Sequence, residues 1–91
     1  MALTKETVVD KIEVLEMGQV QVRTATRVLE DGVQLSSSFH RHVVNPSTKT
    51  DDTWGDTDIS GEDARVQAIA TATWTAAVKT AYQEMIDEQE L

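Results

Sequence analysis

Cysteine is absent, which excludes disulfides and thiolate metal sites, leaves the redox compartment open and suits a cytosolic origin. Aromatic residues are almost as scarce: Phe39, Trp54, Trp74 and Tyr82 are the whole supply. A 91-residue chain buries only about 60–65% of its unfolded surface. With so few large side chains, the expected remedy is burial between copies, a homo-oligomer. No segment approaches the roughly 20 apolar residues of a membrane span, and Met1 to Glu6 lacks a signal-peptide apolar run. Basic excess is missing too. The formal net charge is −8, with five Lys/Arg against six Asp/Glu in residues 1–45 and three against ten in residues 46–91. That balance argues against nonspecific nucleic-acid binding, which releases counterions from many phosphates, and against anionic membranes.

What is present is a strong hairpin signal. Asp31-Gly32 sits between alternating residues, and a type I′ turn needs φ > 0 at both central positions. A two-residue loop there pairs Val28 with Leu35, Thr26 with Ser37, Thr24 with Phe39, Val22 with Arg41 and Val20 with Val43. The other side then sets Arg23 beside His40, Gln21 beside His42 and Arg27 beside Ser36, a polar face with a basic bias. Upstream, Thr7 to Leu15 reads as a strand whose Val8, Ile12 and Val14 share a side that Asp10 interrupts. A three-residue loop, Glu16-Met17-Gly18, aligns Val14 with Val20, Ile12 with Val22 and Val8 with Thr26. Both loops give one three-stranded antiparallel meander over residues 7–44.

Residues 45–60 read as an acidic surface loop, with a fourth short edge strand an option near Thr53 to Thr57. Trp54 stands alone in it, either folding back over the sheet edge or touching another chain. Ser60 then opens a helix, with Ser60 and Asp63 approximating a capping box and Glu62 and Asp63 in the first turn. From Ala64 to Asp87 there is no Gly or Pro, so one long helix is expected over residues 61–88. Val66, Ala70, Trp74, Ala77, Ala81 and Met85 form its apolar stripe, with Ile69 and Val78 flanking and Trp74 the single large knob. Such a helix is over 30 Å long and should project past the sheet. Its acidic end, Glu84, Asp87, Glu88 and Glu90, opposes the helix dipole, so it either frays or meets positive charge elsewhere.

Candidate chemistry is thin. His40 and His42 share a strand face, but a metal needs a third ligand, and Arg23 and Gln21 are poor ones. Asp56-x-Asp58-x-Ser60-Gly61 copies the opening of a calcium loop whose twelfth position is Gln67, not glutamate. Ser36 to Ser38 lie near His40 without a nucleophile elbow around them. Arg41, facing Val22 on the apolar side, must pair, with Asp10 the nearest choice, or sit at the rim. No enzyme, cofactor or metal is therefore expected. The residues left for a partner are Arg23, Arg27, His40 and His42 on the basic face, Trp54 and Trp74 as apolar contacts, and Glu84, Asp87 and Glu88 at the acidic end.

Four stretches together carry a resemblance: Val20-Gln21-Val22-Arg23-Thr24-Ala25-Thr26, then Glu30-Asp31-Gly32, then Ser38-Phe39-His40-Arg41-His42-Val43, and Trp74-Thr75-Ala76-Ala77-Val78-Lys79-Thr80-Ala81. They resemble short proteins of marine tailed bacteriophages, notably those infecting cyanobacteria. The loop from Pro46 to Asp58 lies outside the likeness. That group has no assigned activity, so no catalytic residue transfers. The resemblance implies viral origin, synthesis in the host cytoplasm, and a place in the virion or its assembly, with other phage structural proteins as further partners. The expectation is an α+β domain over residues 1–91 with one long C-terminal helix on one face of its sheet, non-enzymatic and self-associating. The alternative is a small nucleic-acid-binding sheet or barrel, in an Sm-like or OB-like role, using the basic face.

Overall fold

The chain divides its residues between two small sheets and two helices, in a computed structural model that describes residues 2–89. Strands β1 (Leu3–Val14), β2 (Val20–Glu30) and β3 (Val33–Val44) form an antiparallel sheet in the order β1-β2-β3. Strands β4 (Ser47–Thr50) and β5 (Thr53–Asp56) form a separate two-stranded sheet, and helices α1 (Ala64–Thr73) and α2 (Ala76–Gln89) follow. The class is α+β, as the sequence pattern requires. Residues 45–60 are not one long loop: the short strand expected near Thr53 to Thr57 forms as β5, but it pairs with β4 and does not join the first sheet. Asp51 and Asp52, with φ +50° and +66°, instead turn β4 back into β5.

The Asp31-Gly32 turn forms as expected, with φ +50° and +84° and Glu30 opposite Val33. Register beyond it does not follow the simple alternation. Leu35 is an extra residue between the Leu29–Gln34 and Val28–Ser36 pairs, so every later position of β3 is shifted by one. His42, not Arg41, faces Val22, while Arg41 faces Arg23 and Phe39 faces Ala25. A second bulge at Asp10 does the same to β1. Val14–Val20 and Ile12–Val22 pair as expected, but Val8 pairs with Ala25, and Val9 takes its place on the core side.

The core lies at one end of the long sheet. Val20, Val22 and Val44 pack against Val66, Ala70 and Trp74, with Val9, Ile12, Ile59 and Val78 around them. All three strand residues sit near the Leu15–Gln19 turn, so the helices cover only that end. The expected geometry is reversed: the sheet outruns the helices. Strands of 11–12 residues reach about 36–40 Å, and the molecule extends 58 × 25 × 23 Å. Residues 2–7 and 31–41 are exposed, forming a three-stranded arm beyond the core-bearing body.

The single long helix is broken at Trp74-Thr75. Asp63, rather than Ser60, caps α1, its side chain accepting from the Arg65 N–H at 2.9 Å. At the break the Thr75 hydroxyl accepts from the Val78 N–H at 3.3 Å, three residues on, which is what an N-cap does. A threonine hydroxyl thus ends one helix and starts the next with no Gly or Pro. The stripe holds through Val66, Ala70 and Trp74. Beyond the break it rotates: Ala77 and Ala81 are exposed, and Tyr82 is the buried residue of α2.

Trp74 joins the halves. Its indole N–H donates to the Gly18 carbonyl at 2.7 Å, a buried bond between α1's end and the first turn. Gly18 itself has φ +89°, and a Cβ there would lie 2.5 Å from Val78 Cγ1 and 3.1 Å from Pro46 Cγ. Trp74→Ala should cost about 3–5 kcal/mol by calorimetric or denaturant unfolding, a large share of such a domain's stability. A melting temperature within a degree or two of wild type would show that the helix is not held through this residue. Gly32 offers a graded comparison, since its φ is +84° but nothing lies within 4 Å of its Cβ position. Gly32→Ala should carry only the left-handed strain of about 1–2 kcal/mol, and Gly18→Ala more than that. Equal melting temperatures for the two variants would contradict the crowding at Gly18.

Candidate functional site

The residues expected to meet a partner are mostly engaged within the chain. Arg23 donates from Nε and Nη2 to the two carboxylate oxygens of Asp10 at 2.9 and 2.8 Å, a bidentate pair. The bulge permits it by turning Asp10 out of the ladder toward Arg23, which corrects the expectation that Asp10 would answer Arg41. Arg23 also lies 4.5 Å from the centroid of the Phe39 ring. Arg27 reaches Glu6, directly across the strands, at 3.4 Å. The paired arginine holds the Asp10 carboxyl below the usual carboxylate range, chiefly through their hydrogen bond.

His40 and His42 lie on the opposite side of the sheet from these arginines, because the Leu35 bulge flips β3. Their rings stack with centroids 6.3 Å apart. His42 Nε2 meets Glu62 Oε1 at 2.7 Å just ahead of α1, tying β3 to that helix. Arg23, Arg27, His40 and His42 therefore do not make one basic face. Three of the four already have carboxylate partners, which weakens the nucleic-acid alternative at its premise.

The acidic end is partly used as well. Asp87 accepts from Lys49 Nζ at 3.0 Å and from the Trp54 indole N–H at 3.3 Å, and both contacts lower its carboxyl, Lys49 first. Trp54 stands edge-on to Tyr82 at 6.0 Å, and Lys49 Nζ sits 5.5 Å from its ring centroid. Trp54 thus folds back, but onto α2 rather than over the sheet edge. Trp74 is buried in the core. Glu84 and Glu88 remain exposed, and Glu90 lies outside the described residues. The calcium-like acids are occupied too, Asp56 with Lys79 at 3.0 Å and Asp58 with the Ser60 N–H at 2.9 Å. Among the described residues no group of three or more His, Asp or Glu could hold a metal ion, and no helix is long and apolar enough to cross a membrane.

What is left available is the arm. Leu3, Val33, Leu35 and Phe39 are 65%, 64%, 56% and 49% exposed; Leu3 and Val33 flank Glu30 on the helix side of the sheet, while Phe39 and Val43 lie on the opposite face. Simple alternation had put Leu35, Phe39 and Val43 in the core. Alternation along each strand puts Val8, Ala25 and Phe39 in one row across the helix-free face, with Ala25 wholly buried between neighbours that are not. The Arg23–Asp10 pair borders that row. Comparison with protein-family models, with curated proteins and with solved structures finds no match to this chain.

Because Asp10 is more acidic folded than unfolded, its pairing stabilises the protein above the ordinary carboxylate range and is lost as pH falls through it. Asp87 and Asp58 are lowered likewise and act with the same sign. Asp10→Asn should melt lower than wild type at neutral pH, and the gap should narrow in thermal scans from about pH 6 to about pH 2. A constant gap across that range would show that the carboxylate's charge plays no part.

Proposed function

We propose that this is a non-enzymatic protein that works by associating with copies of itself, as a structural or assembly component of a bacteriophage particle made in the host cytoplasm. The observation that carries the reading is the uncovered arm. Three strands extend beyond the last helix contact with both faces open, and they present Leu3, Val33, Leu35 and Phe39 to solvent. A sheet needs a covered apolar face for independent stability, and the chain supplies that cover only at the body. Another copy, or a second phage structural protein, supplies it for the arm.

The ionisable residues support the same reading. Asp10, Glu6, Asp87 and Asp56 each hold an Arg or Lys of their own chain and Glu62 holds the His42 imidazole, so they shape the fold rather than a reaction site. The expected attraction between a basic sheet face and the acidic helix end is accordingly weak, and apolar burial supplies the affinity. Light scattering over a wide concentration range should give a mass above that of one chain, changing little between low and high salt. Arg23→Glu with Arg27→Glu should destabilise each subunit by breaking ion pairs without acting as a salt-like switch of assembly. A monomer at every concentration would overturn the proposal, and steep loss of mass with salt would restore charge as the driving force.

A further inference from the structure

The two edges of the three-stranded sheet differ in a way that selects one of them. Edge strand β1 carries Lys5, Glu6, Asp10, Lys11 and Glu13, and its bulge at Asp10 breaks the ladder. There the Val9 carbonyl is already taken by the Arg65 guanidinium from α1. Charges, a bulge and a covering side chain are the devices that keep an edge from pairing with another chain. Edge strand β3 has no Lys, Arg, Asp, Glu or Pro from Val33 to His40, and every residue from Val33 to Arg41 is exposed. Its bulge lies near the tip, at Leu35, and the register from Ser36 to Val44 is regular.

We propose that the β3 edge is where a second copy adds its own β3, antiparallel and centred on Ser37, making a six-stranded sheet about a two-fold axis. This rests on the self-association reading and names its surface. Three observations favour a second copy as the occupant. Pairing centred on Ser37 sets Phe39 of each copy opposite Leu35 of the other, so the exposed apolar residues answer one another. The nine residues from Val33 to Arg41, at about 3.4 Å each, give roughly 30 Å of shared edge with the Leu35 bulge near its tip, and alternate residues along it contribute backbone groups that are otherwise left to solvent. The third is charge. Each copy carries −8, and residues 46–91 hold −7 of it. That segment packs on the body end of the sheet, where Val44 of β3 meets Val66, Ala70 and Trp74, and β3 runs from there out to the tip at Val33. Antiparallel pairing therefore sends the two acidic bodies to opposite ends, while a parallel arrangement would bring them together.

The absence of cysteine makes the test direct. Single cysteines are placed at Ser36, Ser37 and Ser38 on β3, and at Thr7 on β1, and oxidised at a concentration where wild type associates. Directly opposed residues of an antiparallel pair have Cα atoms about 4.5–5.5 Å apart, within disulfide reach. The expected result is a disulfide-linked dimer that forms fastest from Ser37→Cys and not from Thr7→Cys. Ser37→Lys, which charges the open edge, should shift the wild-type dimer to a folded monomer at least tenfold more readily on dilution. If Ser37→Lys fails to fold, the cysteine series decides alone. An oligomer indifferent to Ser37→Lys, with no cross-link at any of the three serines, would overturn this edge while leaving self-association intact. A monomer under every condition would overturn both.

Discussion

The bond from the Trp74 indole to the Gly18 carbonyl holds the helical and sheet halves of this protein in register. It places the large ring that ends α1 against the first turn, where Gly18 alone tolerates the left-handed backbone and the nearness of Val78 and Pro46. From that point the rest follows. Val66 and Ala70 are small enough to let α1 lie close on Val20, Val22 and Val44. The helix must end at Trp74 for its ring to turn inward, and Thr75 restarts it in a new direction. That turn carries Tyr82 and Asp87 to Trp54 and Lys49, so the β4–β5 hairpin and α2 hold each other.

Concentrating the core at this joint leaves the other end of the sheet without cover. The chain has four aromatic residues and spends three of them, Trp54, Trp74 and Tyr82, on the body. Only Phe39 is left for the arm. Charge is allocated in a similar way. Ion pairs at Asp10, Asp87 and Asp56 fasten strand to strand and hairpin to helix, and the Glu62–His42 contact fastens β3 to the start of α1. The β3 edge from Val33 to His40, by contrast, is uncharged and extended.

Much of this was legible in the residues. The α+β class, both tight turns, and the core identity of Val20, Val22, Val66, Ala70 and Trp74 all follow from local pattern, while for the acidic helix end the pattern left fraying and pairing open and the structure pairs Asp87 with Lys49. What alternation could not supply was the two bulges, because one extra residue reverses every side chain beyond it. Both left a trace. Asp10 and Arg41 were the two charges that strict alternation forced onto an apolar face, and each marked a register slip. Three consecutive serines opposite a supposed core gave the same warning for β3. The helix break had a weaker signal, a run of Thr71, Thr73 and Thr75 around Trp74, residues whose stiff or hydrogen-bonding side chains favour helix ends. The candidate site shifted for the same reason: the bulge at Leu35 moved the histidines to the helix side and Phe39 to the open side.

The joint at Trp74 and Gly18 stabilises the body, while in the proposed assembly the arm gains its cover from another copy. Amide hydrogen exchange, followed residue by residue at increasing protein concentration, separates the two. Val20, Val22 and the Val66–Trp74 segment should exchange slowly at every concentration, and Ser36 to Phe39 should exchange fast when dilute and slow as concentration rises. Slow exchange of the arm in dilute solution, or exchange there that ignores concentration, would contradict the proposed assembly.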